Sequence, residues 1–347
     1  ARRVHLPAVT GQILVGILLG PSVIHAFDHA SVVRLQPMID FALGLMAVAV
    51  GGHLNYRLLA NARKRLGLLL LLEAVFTPLL VFLAANFAPG TSWEMAALLA
   101  AIAVSTAPAT ILALVREARA KGVFVKTLVA GVALNNLATI CLFELAHSAA
   151  AVSLTPGANA TWIEIVGAPV RQVLFSALLG GGIGTLLLAA TRQTIRPDRL
   201  TAMSLIAILL TAGLGDYLGV STLLSCLFLG VVLANLTPDK EEIGHAVFNN
   251  FEYAIFAVFF TLAGMELQFG YLVPGGLLAL LVFGARAAGK TSAAWLAMRW
   301  ARATLPLRRY LGIALIPQAG LAVGLMLLVT EDSTFASVRD LFLAVVL

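Results

Sequence analysis

"AIAVSTAPAT", residues 101–110, sets a proline in the middle of an apolar run, and "GIALIPQA", residues 312–319, does the same far along the chain. Proline removes a backbone donor and its ring collides with the carbonyl four residues earlier, so a helix entering either stretch is interrupted there. Beside Pro108 stand Ser105, Thr106 and Thr110, and beside Pro317 stands Gln318. These are side chains able to satisfy the backbone groups that an interruption frees.

The runs around the two prolines are two of many. Of 347 residues, 60% are hydrophobic and 12% charged, and the mean hydropathy is +0.97, outside the range of soluble domains. A bilayer span needs about 20 mainly apolar residues. Such runs are read at 8–27, 37–55, 66–87, 94–115, 127–148, 166–191, 200–216, 219–236, 252–267, 273–298 and 310–330, with a twelfth beginning near 338. The fold class is therefore an all-α polytopic membrane protein. No signal peptide precedes the first run. Cys141 and Cys226 both fall in apolar runs, which argues against a disulfide framework or a metal site.

A formal charge of +6 could suggest a nucleic-acid partner, but the placement of the charge excludes it. If the first span runs from inside to outside, 18 of the 23 Lys and Arg lie at loops on one side. Arg34, Arg171 and Arg339 lie on the other, and Arg286 and Lys290 lie within a span. That is the positive-inside pattern of a cell-membrane protein.

The runs also repeat. Gly16 of "VGILLG" superimposes on Gly230 of "LGVVLA", an offset of 214, and "AVGGHLNY" (49–56) on "LAGMELQF" (262–269), an offset of 213. Pro108 and Pro317 follow at 209. Each mate lies an odd number of spans away, so the halves enter the membrane from opposite sides. Inverted repeats with interrupted helices at corresponding places point to a midplane ion site, because half-helix ends aim opposite dipoles at it.

"ALNNLATI", residues 133–140, adds two adjacent carboxamides, Asn135 and Asn136, where hydrocarbon is expected. An unpartnered buried amide costs roughly 2–7 kcal/mol, so the pair is either satisfied by packing or kept for a ligand.

Taken with "LPAVTGQILVGILLGPSVI" (6–24), "LGVSTLLSCLFLGVVLAN" (218–235), "FFTLAGMELQ" (259–268) and "GIALIPQAGLAVGLML" (312–327), these residues resemble the cation:proton antiporter superfamily. The likeness is closest to the bacterial sodium/proton and potassium/proton exchangers. It implies a secondary transporter, not an enzyme, of elevator type, with a dimerisation domain over 1–60 and 199–270. A mobile core then covers 61–150 and 271–347, and 151–198 forms a linker span. Family members carry a further span before "LPAV" and complete the last one, so the chain resembles a trimmed membrane domain. The implied partners are the lipid bilayer, a second copy in a homodimer and a cytoplasmic regulatory domain outside the chain. No cofactor is implied beyond the transported Na⁺, K⁺ or H⁺, and a bacterial inner membrane is the implied location.

The resemblance places the ion site where the interrupted helices cross. Its ion- or substrate-binding residues here are Asn135, Asn136, Ser105, Thr106, Pro108, Pro317 and Gln318. The family sets an Asp-Asp or Asn-Asp pair where this chain has Asn-Asn, and often Arg-Gly-Glu where it has Gln318-Ala319-Gly320. Carboxamides do not titrate, so an aspartate at 136 is expected to supply a missing proton carrier.

The tenth-span basic residue of the family matches Arg286. An arginine at the bilayer centre costs about 2.5–3.5 kcal/mol on insertion scales and marks function by default. Its expected charge partner is Glu73, because 73 and 286 stand at the repeat offset of 213. The alternative is a neutral Glu73 in a helix seam. Lys290 is expected to snorkel toward the basic side. "GILLG" (16–20) is a small-residue motif on a span that the family uses for dimer contacts, and 238–253 reads as an amphipathic connector. Three other readings stay open: a carrier or channel for another solute without proton coupling, a non-transporting sensor subunit, and a variant with asparagines replacing aspartates.

Overall fold

The structure, a computed structural model, describes residues 8–20, 23–24, 36–52, 54, 56, 60, 62–117, 119–154, 162–191, 197–236, 252–265, 272–318, 320–331, 333–335, 342 and 345–346. In chain order the helices are α1 (Ala8–Leu19), α2 (Gln36–Gly52), α3 (Arg63–Asn86), α4 (Trp93–Ile102), α5 (Pro108–Glu117), α6 (Val123–Leu154) and α7 (Trp162–Thr191). They continue with α8 (Pro197–Tyr217), α9 (Thr222–Leu236), α10 (Glu252–Met265), α11 (Leu272–Trp300), α12 (Leu305–Ala314) and α13 (Gly320–Glu331). Among the described residues there is no strand. Apart from its last two residues, the expected connector over 238–253 lies outside the described residues, as does Ala319. By length and composition α3 and α6, with the stretches Val170–Ala190 of α7 and Gly275–Trp300 of α11, are able to cross a bilayer.

The two proline-bearing runs each fold as two short helices. The run at 94–115 becomes α4 and α5, separated by Ala103–Ala107, and the run at 310–330 falls within α12 and α13. Pro108 is the first residue of α5, where its missing N–H has no intrahelical partner to lose. Ser92 caps α4, its hydroxyl accepting from the Met95 N–H at 3.4 Å. Ser153 of α6 donates to Glu94 in the first turn of α4 at 2.9 Å.

Packing divides the chain into two units, residues 1–52 with 172–273 and residues 53–171 with 274–346. The division passes through α7 at Arg171, inside the stretch expected as a linker span.

In the first unit, glycines let helix backbones touch. A Cβ on Gly16 would overlap the Thr261 carbonyl of α10, and one on Gly264 the Ile13 carbonyl of α1. The same two clashes recur between α9 and α2: Gly230 meets the Val48 carbonyl and Gly51 the Leu227 carbonyl. Gly20 likewise sits against Met265, its Cβ position 2.8 Å from that carbonyl. The glycines of "GILLG" therefore face α10 of their own chain. This corrects their expected use in a dimer contact, since the small-residue motif allows close approach but does not say to which helix.

The second unit has an aliphatic core of Leu69, Leu72, Leu128, Val132, Ala293 and Leu311, drawn from α3, α6, α11 and α12. Glycine again sets the spacing: Gly289 of α11 lies against the Thr77 backbone of α3, its Cβ position 2.8 Å from the Cα. The charged and amide side chains at 73, 135, 136, 286 and 290 all belong to this unit.

Candidate functional site

Between α4 and α5, and between α12 and α13, the backbone leaves its helical bonds, and the freed groups find each other. The Ala107 N–H donates to the Pro317 carbonyl at 2.9 Å. The Thr106 hydroxyl donates to the Leu315 carbonyl at 3.1 Å. Ser105 and Thr106 are buried, Pro108 and Pro317 half-buried, and Gln318 exposed. The amide of Gln318 reaches the Ile102 carbonyl at a long 3.4 Å.

Asn136 holds the first interrupted segment by a single peptide unit's worth of atoms. Its Oδ1 accepts from the Thr106 N–H at 2.9 Å and its Nδ2 donates to the Thr106 carbonyl at 2.9 Å. Both halves of the amide are used. An aspartate there would keep the acceptor, lose the donor and face the carbonyl with negative charge. The amide of Asn136 therefore has a structural use of its own, apart from the proton-carrier role expected of an aspartate at 136.

Arg286 serves both interruptions at once. Its Nε donates to the Ala103 carbonyl at 2.9 Å, its Nη2 to the Ser105 carbonyl at 2.8 Å, and its Nη1 to the Ile316 carbonyl. The carbonyls at the C-terminal end of a helix lack intrahelical partners and carry the negative end of the macrodipole. A forked guanidinium matches both needs for α4 and α12 together.

The acid of the site is paired elsewhere than expected. Glu73 takes its ion pair from Lys290, Nζ to Oε2 at 3.1 Å, and not from Arg286. Lys290 is fully buried, so it does not snorkel. Its ammonium also donates to the Val104 carbonyl at 2.7 Å and to the Thr106 hydroxyl at 3.0 Å, which uses all three donors. Lys290 lies one turn beyond Arg286 on the same face of α11, and its stem carries the charge inward.

Asn135 is half-satisfied. Its Nδ2 donates to the same Oε2 of Glu73 at 2.5 Å, while its own Oδ1 has no partner. Three further buried oxygens on neighbouring residues lack one, Glu73 Oε1, Thr77 Oγ1 and Ser105 Oγ, and elsewhere in the same unit so does Thr91 Oγ1. Native structures leave few buried polar atoms unpartnered, so the four on Glu73, Thr77, Ser105 and Asn135 call for a reason. Thr77 is one turn along α3 from Glu73, and Ser105 stands between Val104 and Thr106, both bonded by Lys290. With Glu73 ionised, the buried formal charges at the interruptions are two cations, Arg286 and Lys290, and one anion.

Thus Asn135, Asn136, Ser105, Thr106, Pro317, Arg286 and Glu73 come together around the two interruptions. Pro108 starts α5 beside them, and Gln318 touches the group only at its edge. Lys290 and Thr77 were not among the expected site residues. The repeat offset of 213 that relates 73 to 286 also relates 77 to 290, and that is the signal by which both could be found.

Comparison with known proteins gives one family and several relatives. The family described as sodium/hydrogen exchanger, transmembrane, matches residues 1–347. A Na(+)/H(+) antiporter of Enterococcus hirae is 24% identical over 279 residues, covering 78% of this chain and 69% of that protein. The solved structure of the sodium proton antiporter MjNhaP1 from Methanocaldococcus jannaschii at pH 8 superposes with a TM-score of 0.77 at 15% identity, over 100% of this chain and 88% of that one. A second structure of MjNhaP1, from an electron-microscopy map, gives 0.71 at 14% identity, over 100% and 87%.

Proposed function

Because the chain belongs to the transmembrane sodium/hydrogen exchanger family, we propose that its exchange site is the buried Glu73–Lys290 pair beside Asn135. The protein is a multi-pass membrane cation:proton antiporter and not an enzyme. The observation that carries the site assignment is the pair itself. Its two members meet at the two interruptions, and each is fully buried.

Sodium is a hard cation that prefers oxygen, and the unpartnered oxygens of Glu73, Thr77, Ser105 and Asn135 are the ligands this site offers. The Lys290 ammonium already occupies the acid, so an incoming cation competes with it. When sodium binds Glu73 and Lys290 gives up its proton, the site exchanges one positive charge for another. Its net charge is unchanged, and no additional buried charge is created. Return of the proton to Lys290 expels the cation. The amide of Asn135 suits this role, since it lends an oxygen without adding charge. Asn136 and Arg286 keep the interrupted backbones in place. The matched glycine contacts of α1 with α10 and of α9 with α2 support reading the chain as two inverted halves.

The test is proton movement and sodium movement measured separately in proteoliposomes, with an internal pH dye and with radioactive sodium. The parent protein is expected to move protons on a sodium pulse, with lithium and potassium pulses ranking the ions. Lys290→Gln is expected to keep sodium–sodium exchange and lose proton movement. Full proton movement in Lys290→Gln would show that the lysine is not the carrier.

The homodimer is proposed through the outer face of α1. Leu14, Val15 and Leu18 are 45%, 48% and 50% exposed there, while Gly16 and Gly20 turn toward α10. Single cysteines at 14, 15 or 18, in a background with Cys141 and Cys226 replaced by serine, are expected to cross-link two copies in membranes. Cross-linking at Gly16 in preference to these positions would refute the proposed face.

A further inference from the structure

About 15 Å along α3 from Glu73, a cleft of about 390 Å³ opens where α3 begins and where α11 turns into α12. Arg63, Lys64, Arg65 and Arg302 line it, with Thr304 and Leu307, and among the described residues no acid does. Among the described residues, none of these four cations has an ion-pair partner. The Nε of Arg65 is buried without a partner, as is that of Arg308 in the first turns of α12.

Both helix starts at the cleft are open. The side chain of Ala62 cannot cap α3, that of Thr304 makes no capping bond to α12, and neither first turn holds an acid. Unsatisfied N–H groups and the positive dipole end attract anions there and repel cations. Arg63, Lys64 and Arg65 in the first turn of α3 are therefore unfavourable by themselves and become favourable around an anion. The positive-inside rule accounts for basic residues on this side. It does not ask four of them to share one cleft with two uncapped helix starts.

The helices on either side of the α11–α12 turn identify the source of the anion. Trp300 and Leu305 directly flank the lining residues Ala301–Thr304, and with Trp295 of α11 and Tyr310 and Ile313 of α12 each is about half exposed or more. Large apolar and aromatic side chains beside a basic pocket are the pattern of a membrane interface that holds an acidic headgroup. We infer that this cleft binds a phosphate anion, supplied as the headgroup of an acidic phospholipid whose acyl chains lie against the α11–α12 surface.

The test is the thermal midpoint of the purified full chain in neutral detergent with phosphatidylglycerol, phosphatidylcholine or inorganic phosphate at matched phosphate concentration. Phosphatidylglycerol is expected to raise the midpoint by several degrees and phosphatidylcholine not to. Arg63→Gln with Arg302→Gln should remove at least half of that rise, whereas Lys121→Gln, a change at an exposed basic residue that does not line the cleft, should keep it. Without lipid the double variant should melt no lower than the parent, because it removes like charges from the cleft. An equal rise in parent and double variant would overturn the site. Inorganic phosphate raising the midpoint as far as phosphatidylglycerol would overturn the lipid source, and a double variant already several degrees lower without lipid would show a purely structural role.

Discussion

Glu73→Gln is expected to abolish sodium-dependent proton movement in proteoliposomes and to destabilise the protein by about 3–5 kcal/mol, the cost of removing one partner from a buried ion pair. The two effects can be separated. Replacing both partners, as Glu73→Gln with Lys290→Met, leaves neither member of the pair as an unpaired charge, keeps Arg286 on its three carbonyls, and should recover most of the thermal midpoint. It should recover none of the transport, because no acid remains to hold the cation and no amine to hold the proton. Sodium-dependent proton flux in the double variant, measured with the internal dye, would remove this pair from the exchange.

Arg286→Met is expected to be the most damaging single change to the fold. It removes the guanidinium donors from the carbonyls of Ala103, Ser105 and Ile316. A buried acceptor left unmade costs roughly 1–3 kcal/mol, so three amount to roughly 3–9 kcal/mol against a typical stability of about 5–15 kcal/mol. The measurable outcome is a sharp fall in monodisperse protein on size exclusion in mild detergent. Arg286→Lys should recover part of it, since a lysine restores the charge without the fork. A methionine variant that purifies and melts like the parent would contradict the bracing role.

Much of this architecture is legible in the residues. Pro108 and Pro317 place both interruptions because proline acts on the backbone locally, wherever the rest of the chain goes. Gly16 and Gly230 give the repeat because close backbone approach leaves one residue type. Asn135 and Asn136 are conspicuous because amides are costly in an apolar run. The partnerships of those residues are less legible. Arg286 and Lys290 stand four apart on one helical face, so sequence spacing alone cannot decide which charge reaches Glu73; the depth of Gly289 against Thr77 decides it, by setting how closely α11 packs on α3. Lys290 reads as a residue with a polar exit because it lies nearer the basic loops, yet its long stem leads as readily inward. The two amides read as a pair, and only their rotation about α6 separates the one that bonds Glu73 from the one that bonds Thr106.

Every bond that Arg286 makes ends on a main-chain oxygen. Such oxygens are present whatever amino acid the gene encodes. Positions 103 and 316 can therefore drift without loosening the brace, provided the bend in each segment persists, and at 105 the brace itself asks nothing of the side chain. Across a set of divergent genes the arginine would stay fixed while no column changed in step with it. A search for compensating pairs would then pass over one of the tightest attachments in the protein, and substitutions at Ala103 and Ile316 would not reveal it.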